Sequence, residues 1–109
     1  MRKAEVYRNG ILAGTLTEKN RNNYIFRYDD TYFKNKDLPA ISLTISKRKQ
    51  QYQSEFLFPF FYNMLSEGMN RELQSVHLKI DKNDHFGLLL ATARFDTIGA
   101  ITIKPVIWQ

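Results

Sequence analysis

Residues 9 and 10 are Asn-Gly, set between two short runs that carry apolar residues. A two-residue β-hairpin needs φ > 0 at both central positions, which Asn and Gly adopt at least cost, so this dipeptide is the strongest short-range hairpin signal. It commits the start of the chain to antiparallel β structure. Ala4 and Val6 share one face of the first strand, Ile11 to Thr17 form the return strand, and Gly14 marks a bulge or a close backbone approach. The polar run Asn20-Arg21-Asn22-Asn23 turns the chain again. Tyr24, Phe26 and Tyr28 then alternate with Ile25 and Arg27, which predicts a third strand with its aromatics on one face.

Asp29-Asp30 is expected to cap a short helical turn over residues 31–36. After Pro39 the stretch "AISLTIS" sets Ile41, Leu43 and Ile45 against Ser42, Thr44 and Ser46, which predicts a half-exposed strand. Pro59 suits the first position of a helix that carries Phe60, Phe61, Met64 and Leu65 on one face and ends at Gly68. Met69, Leu73, Val76 and Ile80 recur at helical spacing, which predicts a second helix. Asp84 caps a third, short helix through Leu88, Leu89 and Leu90. Ile101 and Ile103 alternate with Thr102 and Lys104 in a final strand that Pro105 ends. The expectation is an α+β fold: a small, mainly antiparallel β-sheet or partial barrel with three short α-helices, in a single domain spanning 1–109.

Composition narrows the chemistry. The chain has no cysteine, which excludes disulfides and thiolate metal sites and fits a reducing cytoplasm, the expected location. No apolar run approaches the roughly 18 residues of a membrane helix, and the basic N-terminus has no apolar segment behind it, so neither a membrane span nor a signal peptide is expected. Neither GxxxxGK[ST] nor GxGxxG occurs, so no nucleotide cradle is expected. His77 and His85 fall on different predicted elements and lack ligand spacing, so no metal site or cofactor is expected. The carboxylates at Asp29-Asp30 and from Asp81 to Asp84 read as caps and turns. No catalytic residues are expected.

Surface recognition is what remains. The net charge is +5, spread along the chain apart from the cluster Lys47-Arg48-Lys49, which reads first as a solvated loop. Direct nucleic-acid binding, for which "YIFRY" and "KRKQQYQ" supply only fragments, is the weaker expectation. Eight Phe, six Tyr and one Trp exceed what one small core readily hides, and such a surplus is expected at an interface. Trp108 either caps the core or faces a partner.

The order of these features resembles the N-terminal subdomain of HipA-type serine/threonine kinases, the Couple-HipA domain. The resemblance rests on the hairpin "NGILAGTL", on "PAISLTIS", on "PFFYNMLSEGMNRE", and on "DHFGLLLATARFDTIGAITI" followed by a proline. In the third of these, Phe60, Phe61, Asn63, Leu65, Glu67, Gly68, Arg71 and Glu72 match the family pattern Phe-Phe-x-Asn-Leu-Leu-Pro-Glu-Gly-x-x-Arg-Glu. Met64 stands where Leu is usual and Ser66 replaces the turn proline. Lys47 and Arg48 follow a strand that in relatives ends in Leu-Pro-Leu, and Ala93-Arg94-Phe95-Asp96 replaces a Gly-x-Asp turn.

A free-standing copy of this subdomain is similar to HipS of the three-part HipB–HipS–HipT toxin–antitoxin systems. The resemblance implies an antitoxin that binds a HipT-type kinase non-covalently and inhibits it, with HipB supplying DNA binding in a larger complex. It implies partner-binding residues Phe61, Met64, Ser66, Glu67, Gly68, Asn70, Arg71 and Trp108, with Phe60 and Phe61 splitting between core and interface. Glu67 and Arg71 also stand at i, i+4, where they would pair with each other. Two alternatives stay open. One is a non-catalytic subunit bridging the kinase to DNA-bound HipB, with Lys47, Arg48 and Lys49 near the DNA; the other is the N-terminal fragment of a full-length HipA-like kinase.

Overall fold

The computed structural model describes residues 1–65, 83–92 and 100–106. Its framework is a five-stranded antiparallel sheet: β1 (Arg2–Arg8), β2 (Ile11–Asn20), β3 (Asn23–Tyr28), β4 (Gln51–Ser54) and β5 (Ile101–Pro105), in the order β4-β3-β2-β1-β5. The sheet does not close on itself, since β4 and β5 lie at opposite edges. Three short helices accompany it among the described residues: α1 (Asp30–Lys34), α2 (Pro59–Tyr62) and α3 (His85–Thr92). None is long and apolar enough to cross a membrane.

The Asn-Gly turn is where the sequence put it, with φ of 50° at Asn9 and 79° at Gly10. The register it sets pairs Ala4 with Leu16 and Val6 with Gly14, then slips, so that Tyr7 meets Leu12. Ala13 is the extra residue of a bulge. Both Ala13 and Gly14 are therefore buried, and the Ala13 carbonyl is free to accept the N–H of Asp29 at 2.8 Å. Gly14 answers to both expectations at once. It sits beside the bulge, and a Cβ there would lie 2.4 Å from the Arg27 carbonyl oxygen.

One face of the sheet carries the core. Cross-strand neighbours Ala4, Leu16 and Phe26 form one buried row, and Ile103, Val6, Gly14 and Tyr28 form the next. Phe61, Met64 and Leu65, with Phe86, Leu88 and Leu89 of α3, complete it. At roughly 25 cal/mol per Å² of apolar surface, each fully buried aromatic or Leu contributes about 1.5–3 kcal/mol. Phe26 packs edge-on against Tyr28 with centroids 4.9 Å apart, and lies 5.8 Å from Phe61. α1 starts as expected, with the Asp29 carboxylate accepting the Tyr32 N–H at 3.3 Å, but it stops two residues early. Pro59 is at the start of α2, and Asp84 accepts the Gly87 N–H at 3.1 Å at the start of α3.

Two expectations need correction. "AISLTIS" is a turn, not a strand. Ser42 Oγ accepts the Thr44 N–H at 3.2 Å, and the Ile45 N–H returns to the Ser42 carbonyl at 3.2 Å. A serine that bonds its own neighbouring backbone competes with a ladder, and here it prevails. Ile41 and Ile45 are buried while Leu43, at the tip, is 101% exposed. Tyr28 fixes both ends of the turn: its hydroxyl accepts the Ile41 N–H at 3.1 Å and donates to the Ile45 carbonyl. The edge strand is instead β4, which the sequence reading did not contain. The predicted helix over Met69 to Ile80 and the Gly68 helix end lie outside the described residues.

Candidate functional site

The third row of the sheet's core face is polar. Arg2, Glu18 and Tyr24 are cross-strand neighbours on β1, β2 and β3, and α3 brings Asp84 to the same place. Arg2 donates from Nε to Glu18 at 2.8 Å, and from both terminal nitrogens to Asp84 at 3.0 and 2.7 Å. The Tyr24 hydroxyl donates to the other Glu18 oxygen at 3.1 Å, and the guanidinium lies 5.3 Å from the centre of the Phe86 ring. A planar five-donor fork against two carboxylates is the geometry that arginine holds and lysine does not.

The charges respond to this packing. The Arg2 hydrogen bonds hold the Asp84 carboxyl below its usual range, against the effect of its own burial. Asp84, ahead of Glu18, raises the Arg2 guanidinium further above an already high value. Burial, then Glu18, pushes the Tyr24 phenol up. No buried side-chain polar atom among the described residues lacks a hydrogen-bond partner. A satisfied network of this kind fixes three strands and a helix in one arrangement.

Above this network opens a cleft of about 800 Å³. Its walls are Met1, Lys19, Arg21, Phe56, Leu57 and Tyr62, with Asn83 and His85 closing one side. Met1 is 71% and Phe56 75% exposed. The Tyr62 ring stands edge-on to His85, with centroids 4.9 Å apart. The Arg2–Glu18–Asp84 network in the cleft is self-paired, and no group of His, Asp and Glu among the described residues has the makings of a metal site. What the cleft presents outward is apolar surface flanked by two cations, Lys19 and Arg21. That suits a macromolecular partner.

The predicted partner-binding residues divide sharply. Phe61 is fully buried and Met64 is 5% exposed. These side chains fill the core, where Phe61 packs against Phe26. Phe60 is the half-buried member of the pair, edge-on to Phe61 at 5.3 Å. Ser66, Glu67, Gly68, Asn70, Arg71 and Trp108 lie outside the described residues.

The basic cluster divides too. Lys47 donates to the carbonyls of Asn35 at 2.6 Å and Leu38 at 2.8 Å and lies over the Tyr32 ring at 5.1 Å, so it closes a loop. Arg48 and Lys49 are exposed, and Lys49 sits 4.7 Å over Tyr52. The Arg2–Glu18–Asp84 cluster escaped sequence reading. Its members are 16 and 82 residues apart, and no local pattern marks them.

The chain can now be set beside known proteins. The family model described as the HipA N-terminal domain matches residues 4–104. An uncharacterized protein of Haemophilus influenzae is 29% identical over 104 residues, which cover 95% of this chain and 92% of that protein. The solved structure of the N-terminal domain of HipA toxin superposes with a TM-score of 0.73 at 24% identity, covering all of this chain and 96% of that one. The structural likeness establishes a common fold.

Proposed function

Because this chain belongs to the HipA N-terminal domain family, whose role is associated with HipA-type toxin–antitoxin systems, we propose that it acts as a HipS-like antitoxin. In this reading it binds a HipT-type serine/threonine kinase non-covalently and holds it inactive. The observation that carries it is coverage: the family model accounts for nearly the whole chain, and the Haemophilus influenzae relative matches over nearly its own full length as well. A subdomain separated from its kinase turns an intramolecular contact into an interface of similar chemistry.

The segment carrying Ser66, Glu67, Gly68, Asn70 and Arg71 makes the contact in this reading, with Trp108 as an aromatic anchor. α2 supports it. Phe61, Met64 and Leu65, just ahead of that segment, are buried in the core. Inhibition requires preference for an inactive kinase conformer, since equal affinity for both states shifts nothing. Moving a kinase from 99:1 active to 1:99 takes a preference of about 10⁴-fold.

The test is kinase autophosphorylation with rising amounts of the protein. The expected result is a signal that falls to baseline at saturation, and an undiminished signal with binding proven would leave a docking subunit without inhibition. The alternative reading, a bridge to DNA-bound HipB, has fewer cations to draw on. Lys47 is engaged with loop carbonyls, which leaves Arg48 and Lys49 for phosphates.

A further inference from the structure

β4 ends the sheet, and among the described residues its outer edge is unpaired. Tyr28 donates its N–H to the Gln50 carbonyl at 2.8 Å, and bonded pairs alternate along an antiparallel ladder. Tyr52 and Ser54, opposite Phe26 and Tyr24, therefore turn their peptide groups to β3, while those of Gln51 and Gln53 point outward. The outward groups enter no hydrogen bond with another described residue. At the far edge, β5 ends in Pro105, which has no donor. β4 holds neither proline, charge nor bulge, the devices that usually blunt an edge.

The sequence around this edge is self-complementary. Residues 49–55 read Lys-Gln-Gln-Tyr-Gln-Ser-Glu, with opposite charges at the ends and glutamine on each side of Tyr52. Lys49, Gln51, Gln53 and Glu55 are all exposed, and Glu55 forms no ion pair among the described residues. Antiparallel pairing about a two-fold axis through Tyr52 sets Gln51 against Gln53 of a second copy, so that every outward peptide group meets another. The same register sets Lys49 against Glu55 twice by symmetry, and Arg48 against Phe56, which is 75% exposed. Moving the axis to Gln51 keeps the backbone bonds but sets Glu55 against Lys47, whose ammonium is already held by the carbonyls of Asn35 and Leu38. A one-residue slip turns bonded groups toward unbonded ones.

We propose that β4 is a self-association edge, pairing with β4 of a second copy antiparallel about Tyr52 and joining two five-stranded sheets into one. Four residues a side make a small contact of the transient class. This proposal does not rest on the kinase reading.

Sedimentation velocity up to about millimolar concentration tests it, with charge reversals as the probe. The wild-type chain should show a reversible monomer–dimer equilibrium. Lys49→Glu and Glu55→Lys should each weaken it roughly tenfold, since a favourable pair becomes repulsive at two symmetric places. The double variant keeps the native net charge and should regain wild-type association. Gln53→Pro should abolish it, because the donor removed is one that faces away from β3. A monomer at every concentration overturns the proposal, and so does a double variant as weak as its parents. Amides of Gln51 and Gln53 protected from exchange only after kinase is added would assign the edge to the kinase and also overturn self-pairing.

Discussion

Replacing Gly14 with alanine should destabilise this small fold well beyond the usual effect of one added methyl group. The added Cβ would stand 2.4 Å from the Arg27 carbonyl oxygen and 2.7 Å from Cζ of Phe26, where ordinary contact begins at 3.4 Å. Relief would require β2 and β3 to part locally by about 1 Å, because a carbonyl in a ladder cannot swing aside as a flexible side chain does. Nor can the ring. Phe26 is fully buried between Tyr28 and Phe61. Overpacking of this kind costs about 1–3 kcal/mol, and a backbone clash belongs at the upper end. Against it stands about 0.4–1 kcal/mol from the stiffer unfolded chain. The net loss is about 2 kcal/mol, a fall in melting midpoint of roughly 10 °C for a domain near this size.

Gly10→Ala supplies the control. Nothing lies within 4 Å of the added methyl there, and only the positive φ of 79° is penalised, at about 1 kcal/mol. Thermal and denaturant unfolding of both variants would rank them. Gly14→Ala as mild as Gly10→Ala, or milder, would refute the close approach of β2 and β3 on which the register rests.

Tyr28→Phe should cost about 2–4 kcal/mol, because it leaves the Ile41 N–H and the Ile45 carbonyl buried without a partner. Burial pushes that phenol up to about 12, so the hydroxyl remains a donor throughout the neutral range and the effect should not depend on pH there. Lys47→Met should lose about 1–2 kcal/mol through its two carbonyl bonds, whereas Lys49→Gln should stay within about 0.5 kcal/mol of wild type; equal effects in denaturant titrations would contradict the division of the cluster. Asp84 has its carboxyl held down in the folded state, chiefly by Arg2, so its contribution is complete above the unfolded value near 4 and fades as pH falls through the folded one. Asp84→Asn should therefore cost stability at neutral pH and flatten the acid limb of a stability–pH curve, and an unchanged limb would remove the Arg2 pair from the account.

Local rules were enough wherever the structure is local. The Asn9-Gly10 turn, the inward aromatics of β3, the Asp29 and Asp84 caps and Pro59 at the head of α2 each follow from a few adjacent residues. The failures have a common cause, which is that a distant partner decided the outcome. "AISLTIS" alternates as a strand does, yet Tyr28, 13 residues before Ile41, holds it in a turn. β4 has one apolar residue in four and forms because the edge of β3 needed a ladder, not because its own pattern demanded one. The aromatic surplus was set against a core whose capacity the sequence does not print. The core holds more of that surplus than composition suggested, with Tyr28, Tyr32, Phe26, Phe61 and Phe86 all below 2% exposure.

The central claim is that this domain works in trans on a kinase. The most direct measurement is isothermal titration of the purified protein into a HipT-type kinase that lacks an N-terminal domain of its own. The account predicts saturable binding, with affinity lowered by the Glu67→Ala, Arg71→Ala double substitution while the variant keeps its fold. No heat and no complex, from a well-folded chain and an active kinase, would contradict it.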